Sequence, residues 1–141
     1  MTRPPHHDPR LIAVVALGGM VGTTARWAVS EAVGTSANGF PTATLIENVL
    51  GSFLLGALLE ALLRRGAESQ RGRVLRLGLG TGLLGGFTTF SALALELERL
   101  LAGGQVLMAS VYAVASLVLG VLACIGGVAL GARARARSDV A

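Results

Sequence analysis

Several polar side chains stand inside apolar stretches, and they are where any chemistry must be sought: Arg26, Glu47, Asn48, Ser52, Thr88, Thr89, Ser91, Glu96, Tyr112 and Ser116. Most are neutral hydrogen-bonding groups. Asn48 offers an amide N–H₂, and the serines and threonines offer O–H donors. Asn48 and Ser52 are four residues apart, on one helical face. No nucleophile stands in a pattern with a base, and no Walker loop or metal-ligand cluster is present. The set forms a hydrogen-bond-donating track with no bond-making machinery, so the chain reads as no enzyme. "GTGLLG" at 80–85 fits G-x-G-x-x-G, but that fingerprint needs a preceding strand within a βαβ unit. Here it sits in a hydrophobic helix, so cofactor binding is rejected.

The densest polar cluster is in "LLGGFTTFSALALELE", residues 83–98. It starts as a membrane helix would. Gly85 and Gly86 are poor helix formers, and the hydroxyls that follow can satisfy freed backbone groups. A helix broken at membrane depth is tolerated only within protein or beside a watery cavity, where its carbonyls and N–H groups can serve an ion. A simple kink is the competing reading, and composition alone does not choose. Asn48 likewise has two readings, a functional hydrogen-bond donor or a structural bond to a helix. Arg26 and Glu47 read either as functional groups or as side chains reaching the membrane interface.

The elements that position these groups follow from composition. Of 141 residues, 52% are hydrophobic and only 14% charged, with mean hydropathy +0.67. A soluble domain carries about a quarter charged residues. A spanning helix needs about 20 mostly apolar residues. Four such spans are expected, at residues 11–33, 43–63, 75–101 and 106–130. The fold class is therefore an all-α membrane protein with four transmembrane helices, the third broken at 85–91. It forms one domain over 11–130, between a tail at 1–10 and a basic tail at 131–141. The first run imitates a signal peptide, but three more hydrophobic segments follow and no convincing cleavage site precedes a soluble domain. His6 and His7 lie in the first tail and read as a solvated pair. Cys124, a lone cysteine, reads as a small apolar filler. Gly18 and Gly22, Gly78 and Gly82, and Gly127 and Gly131 recur at helical spacing, which permits close helix approach.

Charge sets the expected orientation. There is no lysine. Arg3, Arg10, Arg64, Arg65, Arg71, Arg73, Arg76, Arg133, Arg135 and Arg137 fall on one side of a four-span chain, against Arg99 alone near the other. The positive-inside rule puts both termini in the cytoplasm of a multi-pass protein of the cell membrane. The pI of 11.0 does not mark nucleic-acid binding, because aromatics are 4% and the arginines flank apolar runs instead of forming one face.

"GGMVGTTARW" (18–27), "TLIENVLGSFLLG" (44–56) and "TGLLGGFTTFSAL" (81–93) resemble the Fluc/CrcB fluoride channel family, in that family's order and spacing. "YAVAS" (112–116) matches more loosely. The resemblance implies an antiparallel dimer of four-helix subunits, two fluoride pathways at the interface, and passive fluoride export that confers resistance. It also implies a structural sodium ion at the dimer centre, held by backbone carbonyls that map to Gly85 and Thr88. Asn48 aligns with the pore asparagine and Phe90 with the first of two pore phenylalanines. Ser91, Tyr112 and Ser116 fall on or near the polar track, and Arg26 aligns with the arginine ending span one. A phenyl ring has a positive edge against which an anion can lie, and several weak sites in series allow passage without trapping.

Two departures stand out. Leu93 replaces the second pore phenylalanine and has no ring edge. Glu47 stands where the family has an apolar or small residue, and adds negative charge near an anion path. Family homodimers insert both ways and need little charge bias, whereas this chain is strongly biased. The expected partner is thus a homologous subunit of opposite orientation, a heterodimer being favoured over a homodimer, with one pathway impaired by Leu93. Two other classes stay open: a small four-helix drug or cation exporter using Glu47 as its coupling carboxylate, and a non-conducting partner subunit.

Overall fold

The computed structural model describes residues 8–34, 36 and 39–136, and the side chains of 134–136 are not among the described features. Arg3, His6, His7 and Arg137 lie outside the described residues. The described chain is helical, with α1 Pro9–Val33, α2 Thr42–Leu63, α3 Gln70–Leu75, a π-wound segment Arg76–Leu84, α4 Gly85–Phe87, α5 Phe90–Ala102 and α6 Val106–Ala136. The chain is a multi-pass membrane protein, and among the described residues four stretches are long and apolar enough to cross a bilayer: Pro9–Val33, Thr42–Leu63, Gln70–Ala102 and Val106–Arg133. At 1.5 Å per residue, the 22 residues of α2 reach ~33 Å, enough for a hydrocarbon core of about 30 Å. The first helix starts two residues before the span expected from hydropathy, and the last runs six residues past it.

Local chemistry sets the ends. Asp8 caps α1, its Oδ1 accepting from the Arg10 N–H at 3.0 Å, with Pro9 in the first turn where no donor is needed. Gly34 closes α1 with φ +65°. Ser69 caps α3 by accepting from the Gly72 N–H at 3.1 Å. Gly104, at φ +72°, turns the chain from α5 to α6, and the Gln105 N–H returns to the Leu100 carbonyl at 2.8 Å.

Packing runs through glycines, because lipid supplies no hydrophobic force to press helices together and close backbone approach must supply dispersion instead. α2 lies along α6, while α1 lies along the π segment and α4. The glycine pairs expected at helical spacing occupy these seams. A Cβ on Gly82 would sit 2.7 Å from the Val15 carbonyl oxygen, and one on Gly86 2.6 Å from that of Gly19. Gly18 faces the Gly78 carbonyl, and Gly22 that of Leu83. On the other seam Gly127 faces the Phe53 carbonyl, and a Cβ on Gly131 would meet that of Ala57 at 2.6 Å.

The third stretch is the irregular one. Over Arg76–Leu84 the turns widen, and the Gly85 N–H donates to the Gly80 carbonyl five residues back. Gly85 and Gly86 are themselves helical. The chain leaves helical geometry at Thr88 (φ −82°, ψ 153°) and Thr89 (φ −148°, ψ 116°), and α5 starts afresh at Phe90. The departure is thus narrower than residues 85–91, and it falls on the threonines.

Candidate anion-handling site

The two extended threonines are held by α2. The Thr89 N–H donates to Asn48 Oδ1 at 2.8 Å, and Asn48 Nδ2 donates to the Thr89 carbonyl at 3.1 Å. One amide side chain therefore satisfies both backbone groups of a residue that is 8% exposed. An amide nitrogen has two protons, so the second remains for another acceptor. Thr88 Oγ1 donates to the Leu84 carbonyl at 2.9 Å, closing the end of α4. Its methyl occupies the room left by Gly51, where a Cβ would overlap it. Thr89 caps α5, its Oγ1 accepting from the Ala92 N–H at 3.1 Å and lying 3.2 Å from Ser91 Oγ.

These bonds bear on Gly85 and Thr88. In a continued helix the N–H groups of Thr89 and Ala92 would donate to the Gly85 and Thr88 carbonyls. Here they donate to Asn48 Oδ1 and Thr89 Oγ1. Two carbonyls beside the break thus lose their usual donors, which fits the carbonyl-oxygen ligation a hard monovalent cation takes. Among the described residues no three His, Cys, Asp or Glu side chains gather to offer another metal site.

The other expected residues divide. Phe90 leaves the bundle altogether and is 80% exposed, with exposed Ser91 beside it. Tyr112 does the opposite. It is wholly buried, its hydroxyl donates to Glu96 Oε2 at 2.6 Å, and its ring meets Phe40 edge-on with centroids 5.5 Å apart. Ser116, one turn further along α6, has a buried Oγ with no hydrogen-bond partner among the described residues. Such an orphan is costly in lipid and marks a place where a further group belongs. Ser52 lies toward Gly120 of α6. Arg26 is half-buried on α1 and acts electrostatically on Glu47. Leu93 is partly buried against the cluster of Leu100, Ala109 and Tyr112.

Two participants did not stand out in the sequence. Thr44 is buried and donates to Glu96 Oε1 at 2.7 Å, so Glu96 gathers donors from α2 and α6 at once. Thr44 lies four residues before Asn48, and that shared face was the available signal. Ser30 donates to Glu47 Oε1 at 2.8 Å, joining α1 to α2, and no local pattern announces a bond across 17 residues. Beside these groups a cleft of about 640 Å³ opens at the end of the bundle where α1 ends and α2 begins, lined among others by Ser30, Thr44, Glu96 and Arg99.

At the other end the connection between α2 and α3 is laced by ion pairs. Glu68 accepts from Arg76 Nε at 2.7 Å and from Arg73 Nε at 3.3 Å, and Arg64 pairs with Glu60. The Arg76 hydrogen bond, then that of Arg73, holds the Glu68 carboxyl below its ordinary value.

Comparison with known proteins agrees with this architecture. Residues 13–128 match the family described as CrcB-like protein, Camphor Resistance (CrcB). The chain is 42% identical over 137 residues to the fluoride-specific ion channel FluC 2 of Leifsonia xyli subsp. xyli, covering 97% of this chain and 94% of that one. It is 46% identical over 121 residues to the fluoride-specific ion channel FluC of Deinococcus radiodurans, covering 84% and 93%. It is 42% identical over 114 residues to the fluoride-specific ion channel FluC 1 of Cutibacterium acnes, covering 81% and 80%. With four membrane-crossing stretches, glycine-lined seams and a family match spanning nearly all of them, the chain belongs to the CrcB family.

Proposed function

We propose that this chain is a subunit of a fluoride-selective channel, giving passive fluoride efflux and so fluoride resistance. The observation that carries the proposal is Phe90. An aromatic ring 80% exposed, immediately after an interruption clamped by Asn48, has no role in packing its own subunit. It suits a pathway completed by a second subunit, with its positive ring edge presented to an anion. Fluoride is small and tightly hydrated, so its water must be replaced by donors. Asn48 has an amide proton to spare, and Ser91 and Ser116 extend the track, while Tyr112, its one proton given to Glu96, stands beside it and holds that carboxyl group in place. The orphaned hydroxyl of Ser116 is the donor with the most to gain. Arg26 contributes positive charge near the end of span one.

The same reading gives the partner, a homologous subunit inserted in the opposite direction. Ten arginines on one side against Arg99 support a fixed orientation with both termini cytoplasmic, and so a heterodimer. Two relatives carry numbered names, FluC 2 and FluC 1, which supports paired subunits. Leu93, turned into the cluster around Tyr112, supplies no ring edge to its pathway. Sodium at the centre would be held by the Gly85 and Thr88 carbonyls, where it would supply positive charge that fastens the two interrupted helices together.

Fluoride efflux from proteoliposomes containing this chain, with and without a candidate partner, tests the proposal. Efflux that is abolished by Asn48→Ala or Phe90→Ile supports it. Efflux that survives both variants refutes the pathway. Absence of fluoride efflux with every partner leaves the exporter or the non-conducting subunit in its place.

A further inference from the structure

Glu47 is the buried ionisable group that the pathway above leaves without a task. It is 1% exposed, within a span, and among the described residues no cation lies at ion-pair distance. Its hydrogen-bond donor is a neutral one, the Ser30 hydroxyl at 2.8 Å. A carboxyl group so placed in a membrane span is costly to retain, and such groups mark ion and proton paths. Its position is also informative. Glu47 immediately precedes Asn48, and Ser30, its donor, lines the cleft of about 640 Å³.

The groups facing Glu47 come from each packed element. Arg26 of α1 offsets its charge, Glu96 of α5 adds to it, and Tyr112 of α6 lies within its electrostatic reach. Glu31 of α1 and Glu96 and Arg99 of α5 line the cleft, and Glu47 reaches it through Ser30. Glu47 and Glu96 each engage hydroxyls that would otherwise be free to greet the anion: Ser30 on Glu47, and Thr44 and Tyr112 on Glu96. A structural tie between α1 and α2 needs only a neutral acceptor at position 47, and glutamine would serve. The carboxyl group adds a charge that can be removed by one proton.

We infer that Glu47 is a charge gate on anion entry: ionised, it opposes the anion at the cleft and keeps the Ser30 hydroxyl; protonated, it lets the anion pass toward Asn48. This rests on the channel reading above. It makes conduction rise as the solution facing the cleft becomes more acidic. It also makes Glu47 a positioning residue, acting through charge and through Ser30, without itself ligating the ion.

The test uses the full chain in its native assembly, reconstituted in liposomes, with fluoride efflux followed by electrode across the neutral pH range against protein-free vesicles. Wild-type efflux is expected to rise on acidification. Glu47→Gln is expected to conduct about tenfold faster at the alkaline end, the scale one nearby charge sets at an effective dielectric of about 20, and to lose the pH dependence. Glu47→Asp is expected to retain it. Wild-type efflux indifferent to pH overturns the gate even if Glu47→Gln fails to fold. So does a Glu47→Gln profile that overlays the wild type, which would leave Glu47 a tie between helices. Asn48→Ala separates the two inferences: efflux lost in Asn48→Ala but indifferent to pH and to Glu47→Gln sinks the gate alone, whereas no efflux from wild type at any pH sinks the channel reading and the gate that rests on it.

Discussion

Replacing Asn48 by alanine removes two hydrogen bonds and strands a backbone N–H and a backbone carbonyl at Thr89. Two estimates bracket the cost. Side-chain hydrogen bonds between membrane helices average ~0.6 kcal/mol, so two give ~1.2 kcal/mol if the freed groups find other partners. If the groups stay dry, each unsatisfied buried group costs about 1–3 kcal/mol. Thr89 is 8% exposed, which favours the dry case, and we expect about 2–6 kcal/mol for the two groups. At ~1.4 kcal/mol per tenfold, local opening of the interruption becomes about 30- to 20,000-fold more frequent. Hydrogen–deuterium exchange of the peptide spanning residues 85–92, in nanodiscs, reads this directly. Asn48→Asp keeps an acceptor for the Thr89 N–H but loses the donor to the Thr89 carbonyl, and should fall between alanine and wild type. Exchange accelerated by less than about threefold in Asn48→Ala would refute the clamp, since even the lower estimate of ~1.2 kcal/mol exceeds that factor.

Gly127→Ala drives a Cβ into the Phe53 carbonyl and should cost about 1–3 kcal/mol, lowering the thermal midpoint in detergent, whereas Gly120→Ala meets only Ser52 Oγ at 3.8 Å and should be neutral or stabilising. Equal midpoints for the two variants would contradict the α2–α6 seam. Tyr112→Phe keeps the edge contact with Phe40 but loses the 2.6 Å bond to Glu96; a loss of about 1–2 kcal/mol in unfolding stability is expected, together with slower fluoride efflux. Glu68, held below its usual 4.5 by Arg76 and Arg73, orders the α2–α3 connection fully above that pH. That contribution is lost as pH falls through the lowered value, so a carbon-13 titration of Glu68 should show its inflection below 4.5 and a Glu68→Gln variant should show faster exchange over residues 64–76 at neutral pH.

Hydropathy located the four spans to within a few residues at most boundaries, because a bilayer imposes length and composition on any segment that crosses it. The third and fourth were the exceptions: α6 runs six residues past its expected end, and the chain turns helical at Gln70, five residues before the expected start, where Ser69 supplies a cap among polar residues that hydropathy discounts. The glycine pairs were legible for a similar reason, since spacing of four is a property of one helix. Their partners were not: that Gly18 meets the π segment while Gly127 meets α2 depends on which helices lie side by side.

The site divides the same way. Runs of glycine and threonine at 85–91 marked where helical geometry would be weak, from propensities local to the chain. That the glycines stay helical and Thr88 and Thr89 carry the extended backbone was decided by α2, whose Asn48 offers the Thr89 N–H and carbonyl better partners than the helix does. Tyr112 was legible as a polar residue in a span, and its pairing with Glu96 was not. The sequence by itself determined membrane residence, the number of crossings and the inventory of donors, because these follow from side-chain transfer energies that hardly depend on neighbours. Only the tertiary structure decided which donors are consumed by carboxylates, which ring leaves the bundle and which hydroxyl is left orphaned, because hydrogen bonding is directional and its partners lie up to 52 residues apart along the chain.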